Sequence, residues 1–321
     1  MAYGALSLNY TASIPLPLHK TGIRSYATVS GFFAQDNLTA TGIPAVSFAL
    51  TLLLRRIRKC YVYNQIPPYF GLLDDSSDRW SKFFAHIHSL NKRADSYTSY
   101  KVFFLGRHGQ GFHNVAEAKY GTPAWDEYWS KLNGDGDLVW GPDAELTDLG
   151  KSQATSAHEA WKNELAAGIP LPGKFYVSPL TRALQTLEIT INGLLLKHNQ
   201  KPTVLENCRE VYGVHTCDER RTRSYIQTTF PQFRIERGFT AEDLLWEADV
   251  RESDAHVAGR AKQVLDLVFE NDKEIFIAVT GHGGIIGGFM ASVGRPSYSL
   301  PTGGESILLN YSSSGFDNIP T

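Results

Sequence analysis

KVFFLGRHGQGFHNVAEAKY, residues 101–120, is the stretch on which the reading of this chain turns. Its apolar run at 102–105 is rich in β-formers and too short for a helix. It therefore predicts a buried strand that stops where the glycine-containing segment 106–111 breaks regularity. Arg107, His108, His113 and Asn114 then fall at or just beyond a strand's carboxyl end. In open α/β sheets ligands bind along that edge, because strand ends and helix starts converge there. Arginine offers a rigid fork of donors that matches phosphate, and histidine can serve as nucleophile or base near neutral pH. Taken alone, the same residues are equally well explained as a basic group and a satisfied histidine in a turn.

Two further stretches repeat the pattern. KFYVS at 174–178 is another short strand, followed by PLTRALQT, where Pro179 suits a first helical turn and Arg182 falls within it. IFIAVT at 275–280 is a third, followed by Gly281, His282, Gly283 and Gly284, and glycines there allow close backbone approach to a ligand. Three strands that each deliver a cation or an imidazole to the same kind of edge are hard to assign to packing.

RHG with Asn114 seven residues after the arginine, then SPLxRxxQT, then GHGG, in that order, resembles the histidine phosphatase superfamily, the phosphoglycerate mutase-like group. WDEYWSKLNGDG, DAELTDLGKSQA and REVYGVHTCDERRTRSYIQTTFPQF resemble a fungal subgroup of phosphomutase-like proteins, and the resemblance spans roughly residues 68–311. It implies a three-layer α/β/α sandwich and a metal-independent phosphomonoester hydrolase, without cofactor, that acts through a phosphohistidine on a small phosphorylated metabolite.

Phosphoryl transfer from an ester needs charge stabilisation on the equatorial oxygens, an in-line nucleophile and a proton for the leaving oxygen. Arg107 and Arg182 meet the first need by charge-assisted bidentate bonds, and Asn114 adds a neutral donor. The resemblance makes His108 the nucleophile rather than His282. That role requires a neutral ring, its second nitrogen bonded to a backbone carbonyl. His282, beside Gly283, then faces the same phosphate as a proton-bearing donor. Glu210, from RExxG at 209–213, is the expected general acid, with Glu206 in reserve. His215, Arg220 and Arg221 lie in HTCDERR, read either as a rim that selects a second anionic group or as a solvated, salt-bridged loop. His215 and Cys217 have no second pair at zinc spacing, so no metal is expected. One rival reading is a mutase, which usually shows a serine where Gln110-Gly111 stand. Another is a non-catalytic phosphate-binding protein, which would have lost a pocket residue; none is missing.

The remaining chain sets the frame. With 321 residues, 42% of them hydrophobic, there is material for one large α/β domain. A net charge of −2 excludes bulk attraction to nucleic acid or anionic membrane, so the expected partner is a small phosphorylated substrate. Cys60, Cys208 and Cys217 are too few for a disulfide framework, which fits a reducing, cytoplasmic setting. Residues 1–67 read as an extension before a domain at 68–321. This amino terminus is acid-poor, with Asp36 its one acidic residue, so an organellar transit segment is the alternative. Within it, 44–54 is apolar but well short of the ~20 residues that span a bilayer. GFFAQD at 31–36 and PPYFGLL at 67–73 resemble motifs that relatives join by a shorter connection, so 42–65 reads as an insertion.

Trp80, Phe83, Phe84, Ile87 and Leu90 predict an amphipathic helix before the first strand. Further helices are expected at 115–120, 153–167, 180–196 and 255–269, with Thr147 as a helix N-cap, strands at 203–206 and 306–310, and a loop at 230–239. Trp125, Tyr128, Trp129 and Trp140 read as a loop's private core rather than a base-stacking platform. Alternating strands and helices argue for a mainly parallel sheet covered on both faces.

Overall fold

The computed structural model describes residues 24–37, 66–296 and 299–314. The elements, in chain order, are β1 (Arg24–Thr28), α1 (Arg79–Arg93), β2 (Thr98–Arg107), α2 (Phe112–Tyr120), α3 (Thr122–Glu127), α4 (Asp148–Ala166), β3 (Lys174–Val177), α5 (Thr181–Ile191), β4 (Thr203–Val204), α6 (Arg223–Thr229), β5 (Arg234–Ile235), α7 (Asp254–Asn271), β6 (Phe276–Gly281), α8 (Gly283–Ser292) and β7 (Glu305–Ser314). The strands form one sheet in the order β1-β7-β2-β6-β3-β4-β5. Strands β2, β6, β3, β4 and β5 run parallel, while β7 is antiparallel to both its neighbours.

The apolar runs of β2 and β6 are continuous rather than alternating because both faces of the sheet are covered. On β2, Val102 and Phe104 enter one core with Trp80, Phe83, Trp161, Leu184 and Leu187 from α1, α4 and α5. Phe103 and Leu105 point the other way, onto Val264, Leu265, Ile285 and Phe289 from α7 and α8. Strand β6 divides likewise, with Phe276 and Ala278 on the first face and Ile277 and Val279 on the second. These are the three layers expected. The aromatic segment has its own cluster, in which Trp125 and Trp140 are buried with Ala116, Ala144 and Cys217.

Element ends differ from expectation where side-chain chemistry intervenes. Helix α4 begins at Asp148, and its cap is Thr147, whose Oγ1 accepts from the Gly150 N–H at 3.1 Å. Helix α5 stops at Ile191 rather than 196, because Asn192 leaves the helix and Gly193 takes φ 66°. Helix α2 starts at Phe112, earlier than expected, and so takes in His113 and Asn114. The expected loop at 230–239 contains the short edge strand β5, which pairs with β4.

Strand β1 lies inside the segment read as an extension, yet it is hydrogen-bonded along β7. GFFAQD and PPYFGLL also meet. The Leu73 N–H donates to the Phe32 carbonyl at 2.9 Å, and Gln35 Nε2 donates to the carbonyls of Phe70 and Ile307, both at 3.2 Å. Asp36 accepts from the N–H groups of Gly31, Phe32 and Phe33 and pairs with Arg295. The expected insertion 42–65 and Cys60 lie outside the described residues.

Candidate active site

The three motif-bearing strands are adjacent and end level. Arg107 of β2 is in register with Gly281 of β6, and Val177 of β3 with Thr280. His108 leaves β2 with its N–H on the Gly281 carbonyl, 3.0 Å away. The next residue has no room for a side chain, since a Cβ on Gly109 would sit 2.3 Å from the Gly150 carbonyl oxygen. That approach packs the start of α4 against the motif, and the Gly109 N–H donates to Thr186 Oγ1 on α5.

His108 is buried, and its Nδ1 lies 2.6 Å from the Gly109 carbonyl oxygen. A carbonyl can only accept, so Nδ1 carries the hydrogen and Nε2 is the bare, nucleophilic nitrogen. Burial, then the charges of Arg182 and Arg107, hold the ring's pKa well below the usual histidine value. The His108 ring is therefore neutral.

His282 stands 4.9 Å from His108, ring centre to ring centre, at the start of α8. Its Nε2 shares a hydrogen with Ser178 Oγ at 2.7 Å, which leaves Nδ1 free. Ser178, from the SPL motif, was given no role by the sequence reading; it acts through His282. Arg107 is anchored by Nη1 on the Leu300 carbonyl. Arg182 is fully buried, with Nη1 on the Cys217 carbonyl and Nη2 on Asp218 at 2.8 Å. Asp218 is thus the carboxylate that holds an active-site arginine, another role the sequence did not disclose. Asp143 caps α5 by accepting from the N–H and Oγ1 of Thr181, next to Arg182. Asn114 Oδ1 accepts from the Gly111 N–H, and Gly283 opens α8 beside the Arg107 guanidinium.

Glu210 reaches the same place from beyond β4. Its Oε1 accepts from the N–H groups of Val211 and Gly284, at 2.9 and 2.8 Å. A Cβ at Gly284 would fall 2.1 Å from that oxygen and 2.6 Å from Val211 Cγ2, so a larger residue there would displace the carboxyl. With Oε1 occupied, Oε2 is available to carry a proton. Burial, then the charge of Asp218, raises the carboxyl's pKa, against the pull of the Val211 N–H and the two arginines.

The expected rim resolves unevenly. His215 is half-buried, 3.5 Å from Asp126 and edge-on to Trp125. Its backbone approach is strained, for Val214 holds φ +63°, rare for a β-branched residue. Bonds from the Val214 N–H to Glu247, from Arg251 to Gly213 and from Trp246 Nε1 to the His215 carbonyl clamp it there. Arg220 does not face a ligand. Its guanidinium is buried against Glu206, the Thr240 and Glu242 carbonyls and the Phe239 ring, with every nitrogen engaged. The expectation of a substrate-binding Arg220 is corrected accordingly: six charge-assisted bonds inside the protein leave it nothing to offer. Arg221 lies over the Tyr225 ring, 5.4 Å from its centre. Glu206, the reserve acid, is committed to Arg209 and Arg220.

Among the described residues, His215, Cys217 and Asp218 place donor atoms within 4.8 Å of one another, the spacing of a metal site. Asp218 already pairs with Arg182 and Arg251, and burial drives the Cys217 thiol well above its ordinary pKa. Both features compete with a cation, so the cluster reads as the anchor of Arg182.

Four buried nitrogens around His108 have no hydrogen-bond partner: Arg107 Nε, Arg182 Nε, His282 Nδ1 and His113 Nδ1. Buried polar groups are normally paired, and this cluster of orphans on cationic and imidazole side chains has the chemistry to receive an anion. Residues 103–301 match the histidine phosphatase superfamily (branch 1), and the chain belongs to that superfamily. It is 44% identical over 293 residues to a probable phosphoglycerate mutase of Arthroderma benhamiae, an alignment covering 87% of this chain and 82% of that one. It is 40% identical over 205 residues to phosphomutase-like protein 3 of Candida albicans, covering 64% and 63%. A mycobacterial glucosyl-3-phosphoglycerate phosphatase structure aligns with 22% identity and a TM-score of 0.37, over 61% of this chain and 84% of that one. No helix among the described residues is long and apolar enough to cross a membrane.

Proposed function

We propose that this chain hydrolyses phosphomonoesters of small metabolites through phospho-His108, without a metal. The observation that carries the reading is the bare Nε2 of a neutral His108, surrounded by unpartnered guanidinium and imidazole nitrogens. In the first step Nε2 attacks phosphorus, the P–N bond forms and the ester P–O bond breaks. The leaving oxygen takes the proton from Glu210 Oε2. In the second step water attacks phosphorus and gives its proton to the Glu210 carboxylate. The P–N bond then breaks, releasing phosphate and restoring neutral His108. Arg107, Arg182 and His282 neutralise the charge on the equatorial oxygens throughout, which makes a Lewis acid dispensable. His215, clamped at the strained turn and close to His113 and Trp125, is the rim residue suited to touch the leaving group.

The test is release of phosphate from an aryl phosphate with chelator present. Turnover should persist in chelator and fall by at least about 10³-fold in His108→Ala, given what loss of a nucleophile removes. Turnover that needs added metal, or that ignores His108, would sink the proposal. The names of the relatives favour a second reading, a phosphomutase on the same pocket. Gln110 bears on this choice: its side chain is tied to Thr147 Oγ1 and turned toward α4. Bisphosphate-dependent exchange of label between monophosphates would establish the mutase.

A further inference from the structure

His113 belongs to the opening motif, yet none of the steps above uses it. It sits in the first turn of α2, next to Asn114, and its ring folds back over Gly111, where a Cβ would lie 2.6 Å from Nδ1. The residue is 9% exposed, and its Nδ1 is buried without a partner. Its ring centre is 5.4 Å from that of His108, against 4.9 Å for His282, so it is in reach of the same phosphoryl oxygens.

The charged and titratable groups that face it are Arg107 and His108 from the end of β2, Arg182 from α5, His215 from the rim and His282 from the start of α8. Burial and then Arg182 keep the ring neutral while the pocket holds no anion. A third imidazole among two guanidiniums is a costly arrangement unless an anion arrives to use it, since buried polar groups and like charges both disfavour it. A dianion reverses the balance, because its charge favours the protonated ring.

We propose that His113 is an anion-binding residue of the phosphate pocket, one that takes up a proton as the phosphate dianion enters and donates a hydrogen bond to it. The proposal rests on the phosphate reading of the site. Its competitor is a ring that merely fills space over Gly111, and phenylalanine would fill that space equally well.

The experiment is calorimetric titration of the full chain with inorganic phosphate, and with orthovanadate, in two buffers of different ionisation enthalpy at neutral pH. The two enthalpies give the protons taken up per anion bound. His113→Phe should bind about tenfold more weakly or worse, the worth of one hydrogen bond to a charged group, and should take up fewer protons than the wild type. His113→Gln, which keeps a neutral donor, should regain affinity without regaining the proton, and it carries the test if the Phe variant fails to fold. Unchanged affinity and proton uptake in both variants would overturn the role of His113 alone. A wild type that binds neither anion would overturn the phosphate pocket with it.

Discussion

Replacing Glu210 by Gln keeps the acceptor for the Val211 and Gly284 N–H groups and removes only the transferable proton. The loss should then depend on the leaving group. For alkyl phosphates kcat should fall about 10²-fold or more, the usual worth of general acid catalysis. For 4-nitrophenyl phosphate, whose phenolate leaves unaided, the loss should be much smaller. The pH profile follows from the same two groups. A raised Glu210 pKa keeps the acid protonated to higher pH than a free carboxyl, and activity is lost as pH rises through it. A lowered His108 pKa keeps the nucleophile neutral to lower pH than a free imidazole, and activity is lost only as pH falls through it. The plateau of kcat/KM should therefore extend onto the acid side of neutral, and Glu210→Gln should abolish its alkaline limb. An alkaline limb that survives in the Gln variant would point to another acid.

The segment from the short turn Glu206–Cys208 to α6 shows how one element can serve both chemistry and architecture. Arg209 and Arg220 clamp it internally through Glu206 and Asp243, while Glu210, between them in sequence, reaches the start of α8. Arg220→Ala should accordingly lower stability by about 3 kcal/mol, the cost of breaking a buried, hydrogen-bonded ion pair, and leave KM unchanged. Thermal melts beside steady-state kinetics check this; a raised KM with normal melting would restore the substrate-binding reading. The sequence showed that this segment is dense in ionisable groups. It did not show which ones turn inward, because HTCDERR has no apolar period to orient it. His215 on one side and Arg220 on the other are five residues apart and meet entirely different surroundings.

Across the molecule, the buried carboxyls contribute stability that falls with rising pH above the ordinary carboxylate range. The four histidines held low oppose this, since their contribution grows as pH rises to the free imidazole value. Glu305 of β7 is half-buried opposite Gly106, accepts from Trp161 Nε1 and pairs with no cation among the described residues, and burial of its carboxyl lifts its pKa to about 8. Burial likewise lifts Glu236 to about 7 and Asp143 to about 6. Each group is neutral in the folded state where the unfolded chain has released its proton. Stability present below the unfolded value is lost as pH climbs toward the folded one. Glu305→Gln retains the acceptor for Trp161 and should flatten the decline between about pH 5 and 8, by up to about 1.4 kcal/mol per unit. Melting temperatures across that range decide it; an unchanged slope would show that Glu305 ionises without cost.

The strand–breaker–helix punctuation at 101–120, 174–186 and 275–284 was readable from sequence alone, and so was the meeting of Arg107, His108, Arg182 and His282 at one sheet edge. Strand runs, breakers and helix starts are local properties of the chain, and the chemistry at strand ends follows from them. The continuous apolar runs of β2 and β6 announced a sheet covered on both faces for the same reason. Tertiary structure alone decided the supporting partners. Asp218 lies 36 positions from the Arg182 it holds, and Ser178 lies 104 positions from His282. Only folding decided that β1 joins the sheet at β7, that Arg220 is spent inside the protein, and that the His113 ring, with a bare buried nitrogen, stands beside His108. Side-chain direction and long-range pairing are set by packing, and no period or motif along the chain encodes them.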